Sequence, residues 1–372
     1  MPGDPVWQAA RLSLGTASAL GFARFAYGLV VPAMGRDLGW SLADAGVMST
    51  ANGLGYLLGA LVTATVARRV GAAAAFRWGM VLTALALAAT AVSGNFVVLL
   101  VVRAVAGVTG AVVFIVGGVL ASRIAVRASF GTPSTVYFAG SGLGIVLSGA
   151  VIPALGPHWR LAWLGLGAAA AAAALVSWSA AAVDVGAPAT TTGRARMKPL
   201  WPTAVAYLLF ALGYITYITF LSAVLAAHGA AVWQVSLVWT VLGLAVVVAS
   251  ALWRGGRGLA TLLAVLAAGS ALALVSPALP VVLTSAIVYG ATFIGVPAAV
   301  TALIRDHTPP ADWTATLGAF TTVFAAGQTA GPWLAGVVAD HTSPAATVAW
   351  TAVLCAAGAL VALIPAPRRG PR

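Results

Sequence analysis

The sequence predicts an all-α membrane protein of twelve transmembrane helices in two pseudo-symmetric six-helix bundles. Of its 372 residues, 61% are hydrophobic and 7% charged, whereas a soluble chain is about one-quarter charged. Apolar runs recur from end to end, many long enough for a crossing helix, which needs about 20 residues. Six runs stand on each side of one polar segment. There is no Glu and one Lys, Lys198. So few charges would not keep a soluble enzyme dissolved, and disorder is excluded because it needs low hydrophobicity. The 42 glycines have no three-residue period, which excludes collagen.

Read with breaks at charges and Gly/Pro clusters, the runs cover 10–33, 43–66, 73–93, 96–120, 132–154, 160–182, 200–226, 232–252, 259–276, 281–304, 313–338 and 344–364. The connections left over are short, so no extramembrane domain is expected. Residues 184–199, DVGAPATTTGRARMKP, are polar and rich in Pro, Gly and Thr, as in a flexible linker. This linker divides an N-terminal bundle, 1–183, from a C-terminal bundle, 200–372.

The arginines set the orientation, because cytoplasmic loops carry the Lys/Arg excess. With the N-terminus inside, the cytoplasmic side holds Arg11, Arg68, Arg69, Arg77, Arg123, Arg127, Arg194, Arg196, Lys198, Arg254, Arg257, Arg305, Arg368, Arg369 and Arg372. The outer side holds only Arg36 and Arg160. Both termini are therefore expected in the cytoplasm of a multi-pass cell (inner) membrane protein. The net charge of +12 is dispersed in these loops, so it reports orientation rather than a nucleic-acid partner. Cys355 lies in an apolar stretch and reads as packing. Four scattered His make no metal-ligand cluster, and neither metal nor cofactor is expected.

The halves are related. Gly140, Gly144 and Gly149 in span five have the spacing of Gly327, Gly331 and Gly336 in span eleven, offset by 187 residues. Gly21-Phe22-x-x-Phe25 in span one matches Gly213-Tyr214-x-x-Tyr217 in span seven, offset by 192. Six-span repeats are a transporter signature, with the substrate site at the repeat interface near the midplane.

Over its whole length the chain resembles the major facilitator superfamily, and within it the YbfB/YjiJ-type branch. The resemblance rests on GFARFAYGLVVPAM (21–34), Gly140-Ser-Gly-Leu-Gly144, GYITYITFL (213–221) and GQTAGPWLAG (327–336). It departs from the superfamily pattern between spans two and three, where Arg68 stands at the position of an acid. It also departs in span five, where Ile145 replaces the Pro that follows the glycine motif of drug/proton antiporters. The resemblance implies that spans 1, 4, 7 and 10 line a central cavity and that spans 2, 5, 8 and 11 form the seam between the halves. On that reading Gly140, Gly144, Gly149, Gly327, Gly331 and Gly336 smooth the seam, since small residues let helices approach closely.

Arg24 is the most informative residue, because an arginine within a span costs roughly 3 kcal/mol. It sits about 13 Å below the outer end of span one, at 1.5 Å per residue. In a cavity it would pair an anion, most readily a carboxylate. Arg103 in span four lies at a similar depth. It is expected either to join Arg24 on one ligand or, as Arg103-x-x-x-Gly107 implies by resemblance, to brace a neighbouring helix backbone. The seven Asp fall in loops or at span ends, so no span carries a carboxylate in its middle. Asp44 reads as a helix cap beside Ser41, and His228 as a loop histidine or a pH-responsive gate. Tyr27, three residues from Arg24, is expected on the same helix face. Tyr214 and Tyr217, with Tyr289 and Phe293, can sandwich an organic substrate. Asn52, which shares a face with Tyr56, and Gln328 either bind substrate or bond across helices.

These readings converge on a secondary transporter of a small organic anion working by alternating access. The alternative is a proton-coupled drug or metabolite exporter, which the lack of a membrane carboxylate disfavours. The expected partners are a small-molecule substrate and the lipid bilayer, with the protein a monomer. No nucleophile–base or metal constellation points to an enzyme.

Overall fold

The computed structural model describes residues 4–182, 193–252 and 258–364. Most of the 184–199 linker and the basic residues Arg254, Arg257, Arg368, Arg369 and Arg372 therefore lie outside the described residues. Twelve helical rods are present among those described. They are α1 (Pro5–Leu38), α2 (Leu42–Val70), α3 (Ala72–Thr90), α4 (Phe96–Ala128), α5 (Thr132–Leu155) and α6 (Trp159–Ser177), followed by α7 (Lys198–Ala227), α8 (Val232–Leu252), α9 (Leu259–Val275), α10 (Leu279–His307), α11 (Trp313–Asp340) and α12 (Ala345–Ala362). They follow the twelve predicted spans in order. Several run past the predicted ends: α1 begins at Pro5 and continues to Leu38, and α4 continues to Ala128. A helix does not stop where hydrocarbon stops, and polar turns extend it into the headgroup region.

Local chemistry sets the ends. Ser41 and Asp44 form a reciprocal capping box on α2, with Asp44 N–H donating to Ser41 Oγ at 3.1 Å and Ser41 N–H to Asp44 Oδ2 at 3.0 Å. The Asn95 side chain caps α4 through the amides of Val97 and Val98. A single residue, Gly71, separates α2 from α3, and its φ of +84° is open to glycine without strain. Leu61, Leu85, Val101, Leu175 and Leu360 are exposed around the outside. On a soluble protein so much exposed apolar surface would be an aggregation liability; against acyl chains it is matched to its surroundings.

The pairing of helices repeats. Within α1–α6, α1 packs on α5, α2 on α4, α3 on α4 and α3 on α6. Within α7–α12, α7 packs on α11, α8 on α10, α9 on α10 and α9 on α12. Adding six to each number in the first set gives the second. Across the halves α2 packs on α11, α5 on α8, and the second part of α1 on α7.

The glycine triplets follow the same symmetry, and they correct the expectation that all six sit between the halves. A Cβ on Gly140 would meet Ser13 O, and one on Gly144 would lie 2.7 Å from both Ala17 O and Gly21 Cα; both contacts are with α1. Gly327 and Gly331 abut Leu208, Ala211 and Leu212 of α7. These four let the first helix of each half approach the fifth. Only the last of each triplet faces the other half: Gly149 against Trp239 and Thr240 of α8, and Gly336 against Leu42 and Ala43 of α2. Gly142 against Gly243, and Gly46 against Pro332, extend these inter-half contacts.

The described end of the linker is fastened to the second half. Asp312, between α10 and α11, accepts from Arg194 N–H at 2.9 Å and from Arg196 Nε at 2.7 Å. These bonds, that from the Arg194 amide first, hold its carboxyl below the usual carboxylate range.

Gly144→Ala should lower the melting temperature, because over-packing typically costs about 1–3 kcal/mol. Gly165→Ala, where a Cβ meets nothing within 4 Å, should not. Thermal unfolding of the two purified variants checks this.

Candidate functional site

Arg24 sits where α1 departs from regular α geometry. Residues Ala17–Phe25 form a π-helical stretch, and Ala26 N–H donates to Gly21 O at 2.8 Å. Such wide turns are frequent at functional sites. Here the α1 backbone lies against α5, with Gly21 facing Gly144. Because α1 continues to Leu38, Arg24 lies deeper from that end than the predicted span placed it.

The Arg24 side chain is buried, at 7% exposure. Its Nη2 donates to Gln328 Oε1 of α11 at 2.8 Å, and its guanidinium carbon lies 5.4 Å from the Tyr56 ring centroid. The same Gln328 oxygen accepts from the Tyr214 hydroxyl of α7 at 3.0 Å. Two donors converge on one atom, which fixes it as the amide oxygen and turns the Gln328 nitrogen away from both. That nitrogen and Arg24 Nε are buried without a hydrogen-bond partner. Buried donors are normally satisfied, and here two on directly hydrogen-bonded side chains are not, with Arg103 Nε a third. Arg24, Gln328 and Tyr214 were each named from the sequence, and the structure brings them together across the two halves.

Other expected site residues are engaged elsewhere. Arg103 takes the bracing role: its Nη1 donates to Ala23 O of α1 at 2.7 Å, while its Nε is buried without a partner. Its guanidinium lies 4.7 Å from the Tyr27 ring and 5.1 Å from the Trp163 ring. Tyr27 belongs to that packing, its hydroxyl donating to Ala45 O at 2.8 Å. Tyr27 lies just past the π stretch, and its ring meets the Arg103 guanidinium. Asn52 donates to Arg103 O at 3.1 Å, tying α2 to α4. Tyr217 shares a hydrogen bond with Ser285 at 2.8 Å and stacks on Tyr289 at 4.1 Å, while the Tyr289 hydroxyl donates to Tyr214 O. These tyrosines tie α7 to α10. Phe293 lies parallel to Tyr214 at 6.1 Å and meets Phe25 of the π stretch edge-on at 6.1 Å.

The sequence reading missed Phe210 and Phe324, whose rings stack with Tyr214, and Tyr207, which stacks on both. The signal was present. Positions 207, 210, 214 and 217 form one helical stripe of rings, and 324 precedes 328 by one turn. A cleft of about 380 Å³ is lined by other residues, among them Leu221, Val224, His228, Gln234 and Leu279. There the His228 ring is bonded to Val224 O of its own helix at 2.8 Å.

The family model described as an uncharacterised MFS-type transporter, YbfB, matches residues 16–365. The chain belongs to this family. Its structure is similar to that of the nucleoside transporter NupG, with a TM-score of 0.74 at 13% identity over 96% of this chain and 97% of that one. It is also similar to a D-xylose-proton symporter, with a TM-score of 0.77 at 12% identity over 98% of each chain. A bacterial homolog of the human lysosomal transporter Spinster, inward-facing and unoccupied, gives 0.72 at 14% identity over 98% of this chain and 96% of that one. At these identities the likeness is one of fold, the major facilitator fold. No functionally curated protein matches the sequence. As a YbfB-type member of the superfamily, the chain is a multi-pass membrane transporter of a small-molecule substrate.

The two arginines should separate by stability. Arg103→Gln loses a charged hydrogen bond and two ring contacts, and is expected to cost about 2 kcal/mol. Arg24→Gln keeps an amide donor and loses one ring contact rather than two, so its melting temperature should fall less than that of Arg103→Gln. Differential scanning fluorimetry of the two variants beside the parent protein decides it.

Proposed function

We propose that this YbfB-type transporter carries a small organic anion, with Arg24 and Gln328 holding its carboxylate. The observation that carries the reading is the pair of unpartnered donors, Arg24 Nε and Gln328 Nε2, in a buried cluster. Among the described residues Arg160 pairs with Asp37 and Arg196 with Asp312, and neither acid reaches Arg24. A buried cation without an internal counter-charge is stabilised by an anion brought from outside, and a guanidinium is suited to carboxylate geometry. The absence of a mid-span carboxylate among the described residues argues against a proton-coupled exporter, since intramembrane acids are common proton sites.

Alternating access follows from where the halves meet. Asp340, at the end of α11, accepts from Leu42 N–H at 2.8 Å and Ala43 N–H at 2.9 Å, capping α2 of the other half. Ser49 and Thr219 share a bond at 3.3 Å, and a Cβ on Gly28 would strike Ile218 O. These contacts tie the halves together toward the arginine-poor end. With the arginine-rich end taken as cytoplasmic, both termini are cytoplasmic. The division into bundles 1–183 and 200–372, and a monomeric state, belong to the same proposal.

The test is a thermal-stability panel on the detergent-purified protein with small carboxylates, amino acids, sugars and lipophilic cations. A ligand at 100 times its Kd adds roughly 2.7 kcal/mol to the folded state. Carboxylates should stabilise the parent protein and leave Arg24→Gln unmoved. Equal stabilisation of both proteins by lipophilic cations alone would assign Arg24 to the scaffold.

A further inference from the structure

We propose that the anion is an aryl carboxylate: a monoanion whose flat aromatic ring continues a stack of rings built on α7 and α11. The inference rests on the anion site at Arg24 and Gln328 and adds the surface beside it.

On α7, the Tyr207 and Phe210 ring centroids are 6.0 Å apart with planes at 6°, and those of Phe210 and Tyr214 are 4.9 Å apart at 17°. Phe324, one turn before Gln328 on α11, lies over this row, 5.0 Å from Tyr207 at 19° and 5.4 Å from Tyr214 at 23°. Aromatic contacts in a core take offset-stacked or edge-to-face forms, so four rings sharing nearly one plane direction define a slot orientation. Tyr214 links the stack to the polar group, since its ring is in the row and its hydroxyl bonds Gln328 Oε1 at 3.0 Å. Tyr207, Phe210 and Tyr214 are buried, whereas Phe324 is half-buried. Across the site the half-buried Tyr56 holds the Arg24 cation, with Phe114 beside it at 6.4 Å. Residues 207 and 324 lie toward the arginine-rich end of their helices relative to 214 and 328, so the rings flank the approach to Arg24 from that end.

The donors at the amide suit a single carboxylate. Arg103 donates its Nη1 to Ala23 O and lies against two rings, with its Nε unpartnered, so Arg24 is the one of the two cations that bonds the Gln328 amide. Arg24 Nε and the Gln328 amide nitrogen are unpartnered donors on hydrogen-bonded neighbours, and one carboxylate has an oxygen for each. A phosphate dianion would bring twice the charge that Arg24 offsets. With the carboxylate so placed, a ring lying parallel to Phe324 extends the existing stack, and one stacked pair corresponds to roughly a two- to tenfold gain in affinity over a non-aromatic group.

The probes are benzoate, cyclohexanecarboxylate, acetate and benzamide, with thermal shift and equilibrium dialysis on the full chain in detergent. The parent protein, Arg24→Gln and Phe324→Leu are compared. Benzoate is expected to bind several-fold more tightly than cyclohexanecarboxylate, and benzamide far more weakly than benzoate. Arg24→Gln should abolish binding of both ring carboxylates, and Phe324→Leu should bring their ratio close to one. The ratio in the parent protein alone decides the ring question if Phe324→Leu does not fold. Equal binding of benzoate and cyclohexanecarboxylate, both lost in Arg24→Gln, overturns the aryl proposal and leaves the anion site standing. Carboxylate binding that survives Arg24→Gln, or benzamide binding equal to benzoate, overturns the anion site and this proposal with it.

Discussion

A cation held inside the helix bundle by a neutral amide is the constraint around which the rest of this structure is arranged. Arg24 bonds Gln328 across 304 residues of sequence and across the two halves. An ion pair in that position would be self-sufficient, and the site would have no electrostatic need of a ligand. An amide oxygen shared with Tyr214 gives position without neutralisation. The guanidinium is oriented, its charge is left over, and two donors remain open. Insertion of such a residue is costly, and that cost is tolerated where the charge has work to do.

The remaining architecture brings α1 and α11 to this meeting point. In each half, glycines on the fifth helix let the first helix approach to backbone contact, Gly140 and Gly144 in one and Gly327 and Gly331 in the other. In the first half that approach coincides with the π stretch carrying Arg24. In the second it places Gln328, next to Gly327, against the face of α7 that carries Tyr214. The repeat thus builds the same scaffold twice, and the halves differ where the chemistry differs: Thr216 stands where Arg24 would be, bonded to its own helix at Leu212 O. Arg103 is the contrasting case, an intramembrane arginine used as a brace.

Legibility in the sequence followed the range of the interactions. The twelve spans were legible because each is a run of local hydrophobicity, and the α2 cap because Ser41 and Asp44 are three residues apart. Arg24, Gln328 and Tyr214 were legible as types out of place in hydrocarbon. Their meeting was not, because it joins three helices through the tertiary fold. Tyr27 was placed beside Arg24 by α-helical spacing, and the fold sets its ring against Arg103. The glycine triplets were read as one seam because the spacing does not tell which neighbour each glycine faces. Asp340 was seen as a span-end acid, and only the fold carries it to the first amides of α2.

The central claim is that Arg24 lacks an internal counter-charge and draws one from its ligand. Gln328→Glu supplies that charge from within, at the atom Arg24 already bonds. The measurement is the melting temperature of this variant with and without a saturating small carboxylate such as benzoate. The account predicts a higher melting temperature than the parent protein and no further shift on adding the carboxylate. A less stable variant that carboxylates still stabilise as they do the parent would contradict it.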